Sequence, residues 1–366
     1  MKFLFTSNSS WNLYNFRKGL IENLLKNKNE IYILAPKDKY TNFLIKMGCK
    51  YIEINISDRK INIFNDIYLF IKYLFYFYRI KPKYLFSYTI KPNIYASFAA
   101  SFFNIKVVNT LSGLGKVFIK KTILIKIIIF LYKISLKKSY KVFFHNDDDL
   151  KLFLDLNIIN KNNAKVVNGS GVNLKYFQYN KLPNINNNRI TFLFVGRLIY
   201  EKGISELIEA AKKIFTIYPN VKFNLIGEIK KNDNDYIKKE YIDFLSKKIP
   251  LEYIEKKDDI RDYYINCHCV ILPSYREGLP KSLIEAGATG RPSLVTNVPG
   301  CRHIIENNFN GLLFDAKDSE SLFKSIIEFI EIPYEKKVNM AINARKKVVK
   351  YFNEKDVISG YLEIIN

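Results

Sequence analysis

Two glutamates, Glu277 and Glu285, flank a glycine-bearing turn in the second half of the chain. A short apolar run at residues 269–272 predicts a buried strand before the turn, and Pro280 is expected in the first turn of the helix that follows. The unpaired N–H groups and the positive dipole end of a helix start suit a phosphate or diphosphate. We therefore predict that this segment contacts one bound molecule. The predicted contact residues are Glu277, Gly278, Leu279, Pro280, Ser282 and Glu285. The alternative is a plain strand-to-helix connection with two solvent-facing glutamates.

A glycine, an arginine and a lysine follow the first strand predicted in the second half. Gly196 and Arg197 come directly after the apolar run 190–195, and Lys202 precedes a predicted helix at 204–215. Two cations in this position suit one diphosphate, because arginine offers a planar fork of donors and lysine a point charge. The alternative is a pair of unrelated surface cations, but the glutamate-bearing turn in the same half favours a binding site.

Length and composition indicate a folded protein of two domains. The chain has 366 residues, more than one hydrophobic core usually serves, and 48% of them are hydrophobic. Its four cysteines are few and irregularly spaced, which suits a reducing cytosol, and no signal peptide is visible. We expect no metal site. The run 267–269 is too tight for a zinc pair, and the three aspartates at 147–149 predict a helix start capped by Asn146 or Asp147 rather than a metal-binding Asp-x-Asp motif.

The positive charge is concentrated in the first half of the chain. Residues 1–146 contain 25 Lys and Arg against 6 Asp and Glu, whereas the remainder contains 33 against 29. This asymmetry predicts an anionic partner for the first half. Nucleic acid is not the expected partner, because the lysines are spread over helices and no recognition module is present.

Strands and helices alternate along the whole chain, which predicts an α/β fold with two doubly wound, Rossmann-like domains of parallel sheet. We place the first domain at 1–168, a linker at 169–189 and the second domain at 190–349, with a C-terminal helix at about 350–366 that packs back on the first domain. Ligands of such sheets bind at the carboxyl ends of the strands, so a cleft between the two domains is expected. The polar loop 7–12 occupies the first such position. Gly113 and Gly115 lack the third glycine of a dinucleotide fingerprint.

Two apolar segments in the first half, 63–80 and 117–136, raise the question of a membrane. Charged residues interrupt both, so neither is expected to span a bilayer. Aromatic and isoleucine bulk combined with lysine instead suits a helix that lies among lipid headgroups. The alternative is a pair of ordinary core helices. We predict that both belong to the first domain and that one of them also touches lipid.

These motifs together resemble glycosyltransferase family 4 of the GT-B fold. The second half supplies Gly196-Arg197 with Lys202-Gly203, the Glu277 and Glu285 pair, and the turns at 290–292 and 296–300. In the first half, residues 89–93 and 112–115 are similar to the branch that builds capsule, O-antigen and lipid-linked glycans. The chain departs from the family at 87–89, where many members carry histidine, and at His303, where many carry glutamate.

The resemblance implies a retaining transfer from a nucleotide sugar that needs neither metal nor cofactor. Arg197 and Lys202 would neutralise the donor diphosphate and the charge that develops on the leaving nucleotide, Glu277 would sit at the donor sugar, and Glu285 would bind the ribose hydroxyls. The donor-binding set is completed by Gly196 and the turn residues named above. The positions expected on the acceptor side are Asn8, Lys91, Asn93, Gly113 and Lys116.

The predicted function is the transfer of a hexose or N-acetylhexosamine from a nucleotide sugar to a polyprenyl-diphosphate-linked glycan precursor, in the synthesis of a cell-surface polysaccharide or glycoconjugate. The donor is expected to be UDP-linked. The expected partners are the nucleotide sugar, the lipid-linked acceptor and an anionic membrane surface that the basic first domain contacts. The protein is accordingly expected in the cytoplasm, peripheral on the inner face of the plasma membrane. The alternatives are a nucleotide-sugar epimerase of the same fold, a nucleic-acid-binding protein and a non-catalytic scaffold of a glycan assembly complex.

Overall fold

The computed structural model describes residues 1–56, 62–114, 118, 123–185, 189–231 and 233–365. The chain forms two compact units. The first unit consists of Met1–Ser170 and Lys355–Asn366, and the second of Gly171–Glu354. Each unit is built on its own sheet, and every strand pairing in both sheets is parallel. The predicted α/β fold with two Rossmann-like domains is confirmed.

The sheet of the first unit has the strand order β3-β2-β1-β4-β5-β6-β7, which reverses direction between β1 and β4. Its strands are β1 (Lys2–Thr6), β2 (Glu30–Ala35), β3 (Lys50–Glu53), β4 (Tyr84–Tyr88), β5 (Lys106–Leu111), β6 (Lys141–Phe144) and β7 (Ala164–Val166). Phe3 and Phe5 pack into one core and Leu4 into the core on the opposite face. Burial on both faces explains why these strands are continuous apolar runs.

Helices cover both faces of this sheet. They are α1 (Ser10–Lys26), α2 (Thr41–Lys46), α3 (Ile63–Ile80), α4 (Ile90–Ala100), α5 (Ile123–Leu136), α6 (Asp147–Asp155) and the C-terminal α14 (Glu354–Leu362). Helix α14 packs in the core that contains Phe3 and Phe5, where the Tyr361 ring lies 4.6 Å from that of Phe143. Within the described ranges, no helix is both long enough and apolar enough to cross a bilayer.

The sheet of the second unit has the order β10-β9-β8-β11-β12-β13, and it reverses between β8 and β11. Its strands are β8 (Thr191–Val195), β9 (Lys222–Gly227), β10 (Leu251–Glu255), β11 (Cys269–Leu272), β12 (Ser293–Thr296) and β13 (Gly311–Phe314). Its helices are α7 (Ile204–Ile217), α8 (Lys239–Ser246), α9 (Arg261–Asn266), α10 (Lys281–Thr289), α11 (Cys301–Ile304), α12 (Ser319–Glu331) and α13 (Tyr334–Tyr351). One continuous hydrophobic core joins sheet and helices.

Two helix starts differ from the sequence predictions. Helix α1 begins at Ser10, inside the polar loop predicted at 7–12, and residues 90–93 form the first turn of α4. Thr89 turns the chain at a φ of 69°, and Pro92 is tolerated because N–H groups in a first helical turn have no helical partner. Pro280, predicted within the first turn of its helix, is instead the N-cap residue of α10.

The segment 169–189, predicted as a linker, belongs from Gly171 onward to the second unit. The reason is a set of long-range hydrogen bonds, because the Arg291 guanidinium donates to the carbonyl oxygens of Asn180 and Lys181 at 3.0 and 3.1 Å. A polar, asparagine-rich composition does not by itself reveal such partners.

Candidate functional site

The loops after β8 and β11 start side by side at the point where the second sheet reverses its strand order. The loop after β8 carries Gly196, Arg197 and Lys202, and the turn after β11 carries Glu277 and Gly278. Ligands of doubly wound sheets bind outside the carboxyl ends of the strands at this switch point. The fold therefore brings the two predicted donor-binding segments to one place.

Lys202 and Glu277 form an ion pair that joins these two segments. Both side chains are mostly buried, with 21% and 11% of their surface exposed. The backbone adds a second link, since the N–H of Tyr275 donates to the carbonyl oxygen of Glu201 at 2.9 Å. A diphosphate at this position would meet the Lys202 ammonium and would compete for it with the Glu277 carboxylate.

Two glycines allow the loops of the site to touch backbone against backbone. A Cβ atom on Gly203, where φ is 70°, would lie 2.0 Å from the carbonyl oxygen of Pro273. A Cβ atom on Gly300, where φ is 80°, would lie 2.4 Å from the carbonyl oxygen of Gly278. Neither contact leaves room for a side chain, so glycine is required at both positions. The loops after β8, β11 and β12 thus form one layer.

Helix α10 leads away from this layer and holds Glu285 in a polar contact. The Tyr264 hydroxyl lies 3.1 Å from Glu285 Oε2 and 3.1 Å from the Ser282 carbonyl oxygen, and Lys281 Nζ lies 4.0 Å from Glu285 Oε1. Burial raises the pKa of Glu285, while the charge of Lys281 and the hydrogen bond from Tyr264 act in the opposite direction. Leu279 is buried in the core, so only its backbone can face a ligand.

Arg197 differs from Lys202, because it is exposed and has no ion-pair partner among the residues that the structure describes. Its neighbour Gly196 is held firmly. The Gly196 N–H donates to the Ile226 carbonyl oxygen at 3.0 Å, and a Cβ atom on Gly227 would lie 1.7 Å from the Gly196 carbonyl oxygen. The start of the loop is therefore fixed while the guanidinium is available to an anion.

Arg291 has a structural role that the sequence pattern did not reveal. It is fully buried and donates to five backbone carbonyl oxygens at 2.7–3.1 Å, those of Tyr264, Asn180, Gly290, Lys181 and Ile265. These hydrogen bonds tie α9, the end of α10 and the segment 180–181 together. Arg291 thus supports the helix that carries Glu285, and it does not face the loops of the site.

The first sheet has its own switch point, and Asn8 and Thr89 meet there. Asn8 follows β1 and Thr89 follows β4, and the Asn8 N–H donates to Thr89 Oγ1 at 3.3 Å. A φ of 69° is a genuine outlier for a β-branched residue such as Thr89. Strained backbone of this kind often occurs at ligand-binding turns. The placing of Asn8 on the acceptor side stays a prediction.

The other predicted acceptor-side residues differ in their surroundings. Lys91 Nζ forms an ion pair with Asp66 Oδ1 of α3 at 2.6 Å, and the Asn93 side chain is buried between the Thr110 carbonyl oxygen and Asn109. Gly113 lies in the loop after β5 with a φ of 138°. Lys116 lies outside the described residues. Asn93 therefore supports the sheet, and its amide has no free face for a ligand.

A buried cation at the carboxyl ends of the first sheet escaped the sequence analysis. The Arg17 guanidinium lies over the Tyr88 ring, 4.4 Å from its centroid, and has no carboxylate partner within the described part of the chain. His145, directly after β6, is buried nearby, and burial and the charge of Arg17 lower its pKa. The pattern held a signal, since Arg17 occupies the apolar stripe of α1 between Leu13 and Leu20.

The aspartates at 147–149 lie in the first turn of α6, and Asn146 is confirmed as its cap, because its side chain accepts a hydrogen bond from the Asp149 N–H at 2.8 Å. The residues that the structure describes contain no group of three or more His, Cys, Asp or Glu that could hold a metal ion.

Two family models match the chain. Residues 2–146 match the model described as glycosyl transferase 4-like, and residues 177–347 match glycosyl transferases group 1. The chain is also similar, at 28% identity over 100% of its length and 98% of the relative's, to the N,N'-diacetylbacillosaminyl-diphospho-undecaprenol alpha-1,3-N-acetylgalactosaminyltransferase of Campylobacter jejuni. It is 30% identical over 47% of its length, and 44% of the relative's, to an Escherichia coli UDP-Gal:alpha-D-GlcNAc-diphosphoundecaprenol alpha-1,3-galactosyltransferase.

Solved structures share the fold over the whole chain. A glycosyltransferase from Rickettsia africae superimposes with a TM-score of 0.80 at 20% identity, over 99% of this chain and 97% of the other. Anabaena Alr3699/HepE, solved in complex with UDP and glucose, gives a TM-score of 0.81 at 18% identity, over 100% of this chain and 99% of the other.

Proposed function

The chain is a glycosyltransferase of the GT-B fold, with a 4-like domain followed by a group 1 domain, and we propose that it transfers one N-acetylhexosamine or hexose from a UDP-sugar to a polyprenyl-diphosphate-linked glycan. The names of the two relatives support the acceptor class, because both describe sugars linked to diphospho-undecaprenol. The name of the Escherichia coli relative supports the UDP donor.

The observation that carries this proposal is the meeting of Lys202 and Glu277 at the switch point of the second sheet. Lys202 and the exposed Arg197 would bind the donor diphosphate, and the first N–H groups of α10 would add dipole stabilisation. Glu277 would accept hydrogen bonds from hydroxyls of the donor sugar, and Glu285 from those of the ribose. No metal enters this scheme, since the two cations supply the positive charge.

In the proposed reaction, an acceptor hydroxyl oxygen bonds to the anomeric carbon as the bond from that carbon to the diphosphate oxygen breaks. The electron pair leaves with UDP, and the acceptor proton passes to the departing phosphate oxygen or to solvent. Arg197 and Lys202 would stabilise the negative charge that grows on this oxygen, which lowers the barrier. We propose retention of the anomeric configuration, on the family resemblance of the motifs.

With a lipid-linked acceptor the reaction would take place at a membrane surface, and we propose the cytoplasmic face of the plasma membrane. The basic first unit supports this assignment, because residues 1–146 carry 25 cationic against 6 anionic side chains. Anionic lipid attracts such a surface through its negative potential.

The test is transfer of label from UDP-GalNAc, UDP-GlcNAc, UDP-Gal and UDP-Glc to a polyprenyl-diphosphate-linked acceptor, with product mass and anomeric configuration as readouts. We expect one sugar to be added with one of these donors, and turnover to persist in EDTA. Lys202→Met should abolish most of the transfer, while Lys212→Met, which removes an exposed lysine of α7, should leave it intact.

Two results would contradict the proposal. If the enzyme released an altered sugar, or converted the nucleotide sugar into an isomer, without any acceptor, the result would indicate an epimerase. Absence of transfer with every donor would indicate a non-catalytic scaffold, provided that the protein melts cooperatively. Membrane binding of such a scaffold should be unaffected by Lys202→Met.

A further inference from the structure

Helix α3 is apolar on both of its sides. Leu69, Tyr73 and Phe77 face the core of the first unit, where they are buried. On the opposite side, five large side chains spaced by four and three residues form a continuous stripe with between 52% and 84% of their surface exposed. This outer stripe consists of Phe64, Tyr68, Ile71, Phe75 and Tyr78. A helix that is hydrophobic all round is normally covered on every side.

The outer stripe continues onto the neighbouring helices, which pack beside α3 on the same face of the sheet. The Phe70 ring stacks on Phe98 of α4 at 5.3 Å, and Phe98 contacts Phe102, which is itself well exposed. Helix α5 adds three exposed side chains at helical spacing, Ile127, Phe130 and Ile134. Exposed apolar surface of this extent on one face marks an interaction site.

Cations border this surface and almost no anions do. The sequence from 63 to 138 contains thirteen Lys and Arg and a single acidic residue, Asp66, which is buried. Lys72 Nζ lies 5.2 Å from the Tyr68 ring centroid, and Lys81 Nζ lies 6.0 Å from that of Tyr78. Apolar bulk with lysines at its margin matches the acyl region and the anionic headgroups of a bilayer.

The outer stripe begins near the carboxyl ends of the central strands of the first sheet. Asp66, in the first turn of α3, forms its buried ion pair with Lys91, which lies just after β4. This pair fixes Phe64 and Tyr68 beside the carboxyl ends of β1 and β4, where Asn8 and Thr89 meet. A lipid surface in contact with the outer stripe would therefore lie next to the carboxyl ends of β1 and β4.

We propose that the outer stripe of α3, extended by Phe98, Phe102 and the exposed face of α5, is the surface that seats the protein on an anionic bilayer. The inference rests on the proposed function, because it names the helix through which the enzyme reaches a lipid-linked acceptor. The occupant is the membrane itself, with the aromatic rings among the acyl chains and the lysines at the phosphates.

The test is co-sedimentation of the full chain with vesicles of phosphatidylcholine alone or with about one third phosphatidylglycerol. We expect binding to the anionic vesicles, weaker binding as salt rises, and little binding to phosphatidylcholine. The triple variant Phe64→Ser, Tyr68→Ser and Phe75→Ser should weaken binding by about tenfold or more. A matched variant of the second unit, Ile217→Ser, Phe244→Ser and Phe309→Ser, removes exposed side chains from scattered sites and should bind like the wild type.

Transfer to a water-soluble, short-chain acceptor separates this inference from the proposed function. The triple α3 variant should keep that activity and lose transfer to an acceptor embedded in vesicles. Equal vesicle binding by wild type and the α3 variant would overturn the inference, even if transfer occurs. A wild-type dimer that the α3 variant dissociates, without vesicle binding, would overturn it too, since the stripe would then contact a second copy. Vesicle binding without transfer to any acceptor would instead contradict the proposed function.

Discussion

Glu277 and Lys202 are 75 residues apart in the chain, and their side chains form an ion pair at the switch point of the second sheet. The pair couples the turn before α10 to the loop after β8. Because both groups are mostly buried, neither charge is well screened by water. Under the proposed function, an incoming diphosphate would share Lys202 with Glu277.

We expect Lys202→Met to lower kcat by about 10²–10³, because one charge that stabilises the leaving diphosphate is lost. Steady-state transfer at saturating donor measures this effect. Lys212→Met together with Glu209→Gln removes an exposed pair on α7 and serves as the control. An unchanged kcat in the Lys202 variant would exclude this lysine from the reaction.

Glu277→Gln should have two opposite effects. Transfer should fall, because the carboxylate no longer accepts strong hydrogen bonds from the donor sugar. UDP alone should bind more tightly, because the competing negative charge beside Lys202 is gone. Calorimetric titration with UDP measures the second effect, and weaker UDP binding by the variant would contradict the competition for Lys202.

Gly203→Ala should destabilise the second unit by about 3 kcal/mol or more, since a Cβ atom at this left-handed position would lie 2.0 Å from the Pro273 carbonyl oxygen. Gly360→Ala is the matched control. Gly360 lies in α14, and a Cβ atom added there would meet nothing within 4 Å, so alanine should stabilise by about 0.5–1 kcal/mol. Thermal unfolding of both variants measures the contrast, and a similar Tm for the two would show that the close contact at Gly203 relaxes easily.

The pKa of Glu285 predicts a pH dependence of stability. Burial raises this pKa in the folded protein, so the folded state holds the proton more strongly than the unfolded state. The stability that follows is fully present below the ordinary pKa of 4.5 and is lost as the pH rises through the raised value. Glu285→Gln should therefore melt higher than the wild type at pH 7 and show a flatter acid profile. Parallel profiles for both proteins would disprove a shifted pKa at this site.

Arg291→Met should cost about 4 kcal/mol or more, because five backbone carbonyl oxygens, in buried or partly buried hydrogen bonds, lose their donor. Arg291→Lys should rescue little of this loss, since one ammonium cannot reach acceptors spread over three segments. Chemical denaturation measures both variants. Arg261→Met, which removes an exposed arginine paired with Asp259, is the control and should change stability little. Full rescue by lysine would show that charge alone, rather than the planar fork, matters at position 291.

The sequence determined the fold class, because strands buried on both faces must be apolar runs and helices between them must cover the sheet. β1 illustrates this, with Phe3 and Phe5 in one core and Leu4 in the other. The sequence also identified the two segments that meet at the switch point of the second sheet, since a glycine-bearing turn or loop next to a buried strand marks the carboxyl end of that strand whatever the partner strands are.

Tertiary structure decided which polar side chains are available to a ligand. Lys91 and Asn93 stand together in a motif, yet Lys91 pairs with Asp66 and Asn93 is buried against Thr110. Arg17 and Arg291 look like ordinary helix and loop cations, yet both are buried. Local sequence pattern predicts backbone conformation. The partner of a charged or amide side chain, in contrast, lies far away along the chain. A buried polar group needs such a partner, and only the packed fold determines which groups are buried together.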